Sequence, residues 1–418
     1  MRVYLDNSAT TPVPEQIASA VYRCLTENYG NPSSVHTIGQ DAERVLKQAR
    51  HRIASAMEAR PDNIIFTGSG TEADNLALFS ALKNPTGIPG RKIVISSVEH
   101  AAVSEPAAHW ESLGARVIRV PVAKARGADA SPSPGMIDMG FLGRSLDERT
   151  SIVSVMHVNN ETGVIQPIGD ICKLVVSAGR GEDVLIHTDA IQSYCKLPIH
   201  VESEEFGRVD LISLSAHKIH GPKGVGALYA ARPQRIAPLV RGGGQEYGAR
   251  SGTQNVPGIV GFGMAANLES SDLLAHARRV ASLRKRLLDG VLEHIGDVLL
   301  NSPREASPIG RPGFCSPYIL SLTFLGTRGE VLVHDLEQRG VFVSTGAACS
   351  SLKKGGRAAN PVLTALGLST EEAEGTLRFS FNRYNTEEEI DFALEHLTAA
   401  IARFRRIGAF RQQHSTLK

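Results

Sequence analysis

Ile64-Ile65-Phe66-Thr67-Gly68-Ser69-Gly70-Thr71-Glu72-Ala73 is the stretch that decides the fold. Ile64, Ile65 and Phe66 form a short, continuous apolar run closed by glycine, the pattern of a strand buried on both faces. A helical pattern follows at once, from Thr71 through Leu82. Working outward, the same kind of run recurs at Ile93-Val94-Ile95, Val117-Ile118, Ile152-Val153-Ser154-Val155, Val184-Leu185-Ile186, Asp210-Leu211-Ile212 and Val225-Gly226-Ala227-Leu228. Helical stretches such as Ile168 to Ala178 lie between several of them. Runs apolar on both faces and spaced by helices predict a mostly parallel sheet in a layered α/β domain.

Upstream, Ile17, Val21 and Leu25 recur at i, i+4 and i+8 and predict a helical stripe, as do Val45, Leu46, Ala49 and Ile53. The character changes near residue 262. A helical pattern runs on to Ile295 with Val280, Leu283, Leu287 and Val291 on one face. A second, α+β portion follows and ends in a long amphipathic helix. Thr386-Glu387-Glu388-Glu389 opens that helix as a capping box, and Ile390, Leu394, Leu397, Ile401 and Phe404 are its expected buried stripe.

The 418 residues suit two or three domains, and 42% apolar with 21% charged residues is the composition of a soluble globular chain. Lys and Arg total 45 against 43 Asp and Glu, a net charge of +2 that gives no reason to expect nucleic acid or an anionic membrane as partner. No apolar run is long enough to span a bilayer, and Met1-Arg2-Val3-Tyr4-Leu5-Asp6 lacks the pattern of a secretory signal. Five cysteines without a Cys-x-x-Cys are neither a disulfide framework nor a zinc spacing. A reducing, cytoplasmic setting is the expectation, with each Cys a core filler or a reactive thiol. Cys24 and Cys172 fall inside helical patterns and are expected in the core.

Four motifs carry chemistry. Gly68-Ser69-Gly70-Thr71-Glu72-Ala73 formally fits the dinucleotide pattern Gly-x-Gly-x-x-Ala, but that site also needs an acid at the end of the next strand, which closes on Ser96-Ser97. What survives is a glycine-lined helix start suited to a phosphate, or a tight turn with no ligand. Asp189 follows a buried strand and points to a ligand crevice or to a helix cap. Lys218, flanked by small residues at a strand end, is a Schiff-base candidate or a surface charge. His217 and His220 form a His-x-x-His pair for which no third metal ligand is apparent. Cys349, in Gly346-Ala347-Ala348-Cys349-Ser350-Ser351, is an uncrowded thiol of the kind a mobile loop presents. Taken together they answer the needs of pyridoxal 5'-phosphate: an amine, a carboxylate for the ring nitrogen, a phosphate cradle and a flat group to stack, for which His100 is the candidate.

With these residues in place, the sequence closely resembles the cysteine desulfurases of the class V aminotransferase type, the NifS/IscS family, over almost its whole length. The resemblance is carried by Tyr4-Leu5-Asp6-Asn7-Ser8-Ala9-Thr10-Thr11-Pro12, Gly30-Asn31-Pro32-Ser33-Ser34, Thr71-Glu72-Ala73-Asp74-Asn75, Glu99-His100 and His157-Val158-Asn159-Asn160-Glu161-Thr162-Gly163. It continues through Asp189-Ala190-Ile191-Gln192, His217-Lys218, Gly221-Pro222-Lys223-Gly224, Gly242-Gly243-Gly244-Gln245-Glu246, Arg250-Ser251-Gly252-Thr253 and Arg378-Phe379-Ser380.

The resemblance implies pyridoxal phosphate-dependent fold type I. Residues 13–262 would form the large cofactor-binding domain, a mixed, mostly parallel sheet, and residues 1–12 and 263–418 a smaller α+β domain carrying the Cys349 loop. It implies that Lys218 forms the Schiff base, Asp189 pairs with the ring nitrogen, Gln192 hydrogen-bonds the ring oxygen and His100 stacks on the ring and shuttles protons. Gly70, Thr71, Ser215 and His217 would hold the phosphate, joined by Thr253 of a second subunit in a homodimer. Asn160 and Arg378 would bind the substrate carboxylate, and Cys349 would accept sulfur from L-cysteine as a persulfide, leaving L-alanine. The acceptor would be an iron–sulfur scaffold or a component of tRNA or DNA thiolation, with no membrane or direct nucleic-acid contact. Thr345-Gly346-Ala347-Ala348-Cys349 is similar to the group I loop. The basic Lys353-Lys354-Gly355-Gly356-Arg357 after it keeps a selenocysteine lyase open as an alternative. A carbon–sulfur lyase that frees sulfide is another. A non-catalytic subunit of the same fold is a third, against which the intact set Lys218, Asp189, His100 and Cys349 argues.

Overall fold

The computed structural model describes residues 1–82, 90–124, 133–179, 184–203, 206–345 and 360–415. All seven expected strands form, in one sheet of order Ile64–Thr67, Gly226–Ala230, Leu211–Ser215, Leu185–Asp189, Thr150–Ser154, Lys92–Ser96, Arg116–Val120. Only Gly226–Ala230 runs antiparallel to its neighbours. The interior strands Lys92–Ser96, Thr150–Ser154 and Leu211–Ser215 are buried at every position, as helices on both faces demand. The edge strand exposes Arg116 and Arg119, charges that discourage pairing with another chain.

The first core packs this sheet against the helices Thr37–Ser55, Ile168–Ser177 and Val256–Ser270. The last of these carries residue 262, runs on to Ser270 and contributes Ala265 and Ala266 to that core. It lies so close to its neighbours that a Cβ on Gly263 would stand 2.6 Å from Ala49 Cα, and one on Gly261 2.8 Å from Val21 Cγ2. The stripe expected for the helix Glu15–Thr26 is corrected here: Ile17 and Cys24 are buried whereas Leu25 is 61% exposed. A helix turns 100° per residue, so position i+7 stays nearer to i and i+4 than position i+8 does.

The second core joins the helix Leu273–His294 to an antiparallel sheet of order Ser344–Thr345, Thr376–Ser380, Ile319–Phe324, Val298–Leu300. Val280, Leu283, Leu287 and Val291 are buried in it, as are Ile390, Leu397 and Ile401 of the closing helix Glu387–Ser415. The capping box forms, with Thr386 N donating to Glu389 Oε2 at 3.2 Å and Glu389 N to Thr386 Oγ1 at 3.3 Å. Val3 and Leu5, from the start of the chain, also belong to this core, because Val3–Tyr4 pairs in parallel with Val341–Phe342. Cys24, Cys172, Cys195 and Cys315 are all buried.

One buried ion pair ties the loop before Val256–Ser270 to the sheet. Arg50 donates to both carboxylate oxygens of Glu246, at 2.9 and 2.8 Å, and Phe66 N donates to Glu246 Oε2 at 2.9 Å. Glu246→Ala would leave the guanidinium and the Phe66 amide without this acceptor, a loss of about 3–5 kcal/mol. The thermal midpoint of this variant is expected to drop by several degrees, whereas Asp391→Ala, which breaks an exposed pair with Arg286, leaves it unchanged. Equal midpoints for the two variants would contradict this account.

Candidate functional site

The carboxyl ends of parallel strands share one edge of the sheet, and the chain leaves five of them on residues singled out from the sequence. Ile64–Thr67 leads to Gly70 and Thr71, Lys92–Ser96 to His100, Thr150–Ser154 to Asn160, Leu185–Asp189 to Gln192, and Leu211–Ser215 to His217 and Lys218.

The helix Gly70–Ala81 starts on Ser69, whose hydroxyl accepts from Glu72 N at 3.1 Å. The Glu72 carboxylate accepts in turn from Gly68 N and from Arg250 Nε, both at 2.7 Å. The first N–H groups of such a helix are those suited to an anion. Two glycines let the cradle close: a Cβ on Gly70 would collide with the Ile191 side chain, and one on Gly226 would stand 2.5 Å from the Ser69 carbonyl carbon. Gly226 is paired with Ser215 across the adjoining strands, so Ser215 is drawn against the same turn.

Asp189 is buried, and its Oδ1 accepts from Ile191 N at 2.9 Å. Burial pushes its carboxyl up to about 6, against the pull of the Ile191 amide and the nearby Lys218 ammonium. Behind it lies Asp74, fully buried, 3.5 Å from His187 Nε2. His187 also reaches Ser154 Oγ at 2.8 Å and Ser213 Oγ at 3.0 Å. Burial raises Asp74 well above the carboxylate range and lowers His187 to about 3. His187 is therefore uncharged at neutral pH, and the Asp189 charge adds to burial in raising Asp74. Glu99, which accepts from Met156 N at 3.0 Å and from Ser96 Oγ, is pushed by burial to about 8 and stays protonated too. Of Asp189 and Glu99, only Asp189 ionises below neutrality.

Lys218 Nζ donates to Ser8 O at 2.5 Å and Ala9 O at 2.8 Å. His100 caps the helix Ala101–Ser112, its Nδ1 accepting from Ala102 N at 3.1 Å. Burial, then the Lys218 charge, lower its pKa, so the ring is neutral with its proton on Nε2. His217 contacts Thr10 Oγ1 at 3.2 Å through Nδ1, and burial followed by the Lys218 charge lowers it to about 4. His220 turns away to the Pro12 carbonyl at 2.8 Å.

Arg378 and Asn160, read separately from the sequence, meet here. Arg378 comes from the second core and donates to Asn160 O at 3.1 Å, Glu161 Oε1 at 3.0 Å and Asp6 Oδ1 at 3.1 Å. Burial raises Glu161 to about 7 against the Arg378 charge. Thr253 is exposed on the loop that follows Arg250. Cys349 lies outside the described residues. The sequence reading missed the Ser8 and Ala9 carbonyls, Asp6, Glu161 and Lys196 as members of this site. Asp6 and Glu161 stood inside quoted motifs as acids among small polar residues, which was the available signal. An anion cradle, a buried carboxylate and an amine on one sheet edge fit a phosphorylated pyridine aldehyde.

The aminotransferase class-V family matches residues 3–392 of this chain. The cysteine desulfurase IscS of Dictyoglomus turgidum is 37% identical over 411 residues, which span 98% of this chain and 97% of that protein. Cysteine desulfurase IscS 1 of Archaeoglobus fulgidus is 39% identical over 405 residues, 96% of this chain and 97% of its own. A NifS-like protein of known structure superposes with a TM-score of 0.84 at 35% identity, covering 96% of this chain and 100% of its own.

The Asp189 geometry has a pH signature. An unfolded Asp titrates near 4, whereas Asp189 in the folded chain titrates at about 6. The folded state therefore binds the proton more tightly, and Asp189 costs stability as pH rises from 4 through 6, with the full cost present above that window. Cofactor-free Asp189→Asn is expected to melt above the cofactor-free parent at pH 7.5, with the gap closing toward pH 4. The same variant should bind pyridoxal phosphate roughly 10- to 100-fold more weakly, the worth of a charge-assisted hydrogen bond. A melting gap independent of pH would refute the buried carboxylate.

Proposed function

The chain belongs to the class-V aminotransferase family, and we propose that it converts L-cysteine to L-alanine, with Cys349 taking the sulfur as a persulfide and handing it to an acceptor protein. It is a pyridoxal phosphate-dependent enzyme of fold type I, a cysteine desulfurase. The observation that carries the site assignment is the convergence of Lys218, Asp189 and the Gly70 helix start on one edge of the sheet.

In this reading Gly70, Thr71, Ser215 and His217 would hold the phosphate, Lys218 would attach the cofactor, Gln192 would hydrogen-bond the ring oxygen and His100 would cover the ring. Asp189 would keep the ring nitrogen protonated, helped by the uncharged His187 beneath it. The bound cofactor supplies an electron sink that acidifies the substrate Cα–H and permits Cβ–S cleavage. Lys218 takes the Cα proton at Nζ, and the neutral His100 ring holds a second proton site within the electrostatic reach of Lys218. Arg378 and Asn160 orient the substrate carboxylate. The Cys349 thiolate attacks the substrate sulfur, so that an S–S bond forms as the Cβ–S bond breaks. The three-carbon remainder is protonated to alanine, and one cysteine plus one thiol give one alanine plus one persulfide.

The large domain is taken as residues 13–262 together with the rest of the helix Val256–Ser270, which packs in the first core, and the small one as residues 1–12 and the chain after that helix. A second copy of the chain supplies Thr253 to the phosphate. Exposed Leu239, Val240 and Tyr247 on the segment leading to Thr253 support such an apolar, self-covering face. No described helix is long and apolar enough to cross a membrane, and we place the enzyme in the cytoplasm. The IscS names of the relatives favour an iron–sulfur scaffold as acceptor over a tRNA- or DNA-thiolation component.

Lys218→Ala is expected to lose the visible absorption band that shifts when cysteine is added, and to lower desulfuration by roughly 10²–10⁴-fold. An unchanged band would refute the lysine assignment. Cys349→Ser should retain the band and the shift but show no added sulfur on the protein by mass spectrometry. Sulfide release at the parent rate from that variant would remove Cys349 from the reaction.

A further inference from the structure

Lys196 is buried, 7% exposed, one turn beyond Gln192. Burying an ammonium is costly, and the residues around Lys196 show what the cost secures. Its Nζ lies 3.4 Å from Gln192 Oε1 and 5.8 Å from the centre of the Tyr318 ring. Glu269, on the helix Val256–Ser270, attracts it, while Lys218 and Arg378 repel it. Arg383 holds Glu269 from the other side at 3.3 Å. The amine thus sits at the junction of the two cores, with Gln192 and Glu269 from the first and Tyr318 and Arg383 from the second.

The two ends of a glutamine amide have nearly the same shape, and only their partners decide which way it points. Lys196 Nζ carries N–H donors in either charge state, and Gln192 turns Oε1 to it. The amide nitrogen then faces the other way, where Nε2 donates to Ser8 O at 3.0 Å. That carbonyl is the one that also receives Lys218 Nζ. The N–H pair of Gln192 is therefore aimed at the position from which Lys218 attaches the cofactor.

We propose that Lys196 is a positioning residue: by claiming the Gln192 carbonyl it fixes the Gln192 N–H donors toward Lys218 and so toward the ring oxygen of the cofactor. The inference rests on the assignment of Gln192 to that oxygen. Burial moves Lys196 down and Glu269 up, each to about 7, so the pair is neutral overall whichever of them holds the proton. Lys196 retains N–H groups in both states.

The test uses the full-length protein as Gln192→Ala, Lys196→Met and the double variant. Two quantities are read besides activity: the affinity of the cofactor-free protein for pyridoxal phosphate, by equilibrium dialysis, and the pH midpoint of the visible band in the loaded protein without cysteine. Each single variant is expected to weaken binding by about 5- to 10-fold, the worth of one hydrogen bond, and to move the midpoint in the same direction. In the Gln192→Ala background, Lys196→Met should add less than about twofold, because the two residues act as one unit. A full additional effect in that background would mean that Lys196 acts through its charge alone and would overturn the proposal. So would a parent-like Lys196→Met beside an altered Gln192→Ala. If Gln192→Ala itself changes neither quantity, the Gln192 assignment fails and the proposal falls with it, leaving the Lys218 and Asp189 assignments standing. Should Lys196→Met not fold, Lys196→Arg replaces it. Its retained N–H donors predict a parent-like midpoint, and a shift as large as that of Gln192→Ala would again overturn the proposal.

Discussion

Desolvation of Asp189 is the constraint on which the rest of the site depends. A carboxylate at the end of a buried parallel strand ionises near neutral pH only if its surroundings hold no competing negative charge. The groups packed around it meet that condition in two ways. Glu99, His187 and His157 are driven by burial to their neutral forms, and Asp74 is raised well above the carboxylate range. Lys218 supplies the one favourable charge credited to Asp189 itself. The hydroxyls of Ser154 and Ser213 hold His187, and that of Ser96 holds Glu99, without adding charge. A second layer of uncharged polar groups is thus what allows a single anion to face the cofactor.

The N-terminal segment converts this local arrangement into a site shared by two cores. Val3 and Leu5 are buried in the second core. A few residues later the Ser8 and Ala9 carbonyls hold Lys218, and Thr11 N donates to His217 O at 3.0 Å, both just past the strand Leu211–Ser215 of the first sheet. Between them Asp6 accepts from Arg378, and Ser8 N donates to Ser380 Oγ at 2.8 Å. The amine proposed to attach the cofactor and the guanidinium proposed for the substrate carboxylate are therefore held by one short stretch of chain. Any shift of one core against the other would be felt by both, which gives the placement of the second core a direct bearing on substrate geometry.

How much of this could be read from the sequence differs between elements. The seven strands were legible because burial on both faces writes itself as an uninterrupted apolar run, bounded by glycine or polar residues. The helix Glu15–Thr26 was legible as a helix but not in its phase. Which side faces inward is set by the closely packed glycines of Val256–Ser270, and Leu25 was turned outward as a result. Gly70, His100, Asp189 and Lys218 could be picked out at strand ends, and Asn160 through the family resemblance. Asp6 and Glu161 stood in quoted motifs, but their pairing with Arg378 could not be read, nor could the place of Lys196, since these partners lie far away in the chain or in the other core.

What the sequence by itself determined is local: where strands start and stop, where glycine permits a close approach, and which chemical groups stand at each strand end. These follow from neighbouring residues alone, because apolar runs and turns are short-range patterns. The tertiary structure decided the pairings and the charge states, including the partners of Arg378, the orientation of the Gln192 amide and the neutral state of His187 beside Asp74. Those depend on burial and on groups brought together from positions as distant as Asp6 and Arg378, and a pKa or an amide orientation has no meaning until those groups share one dielectric environment.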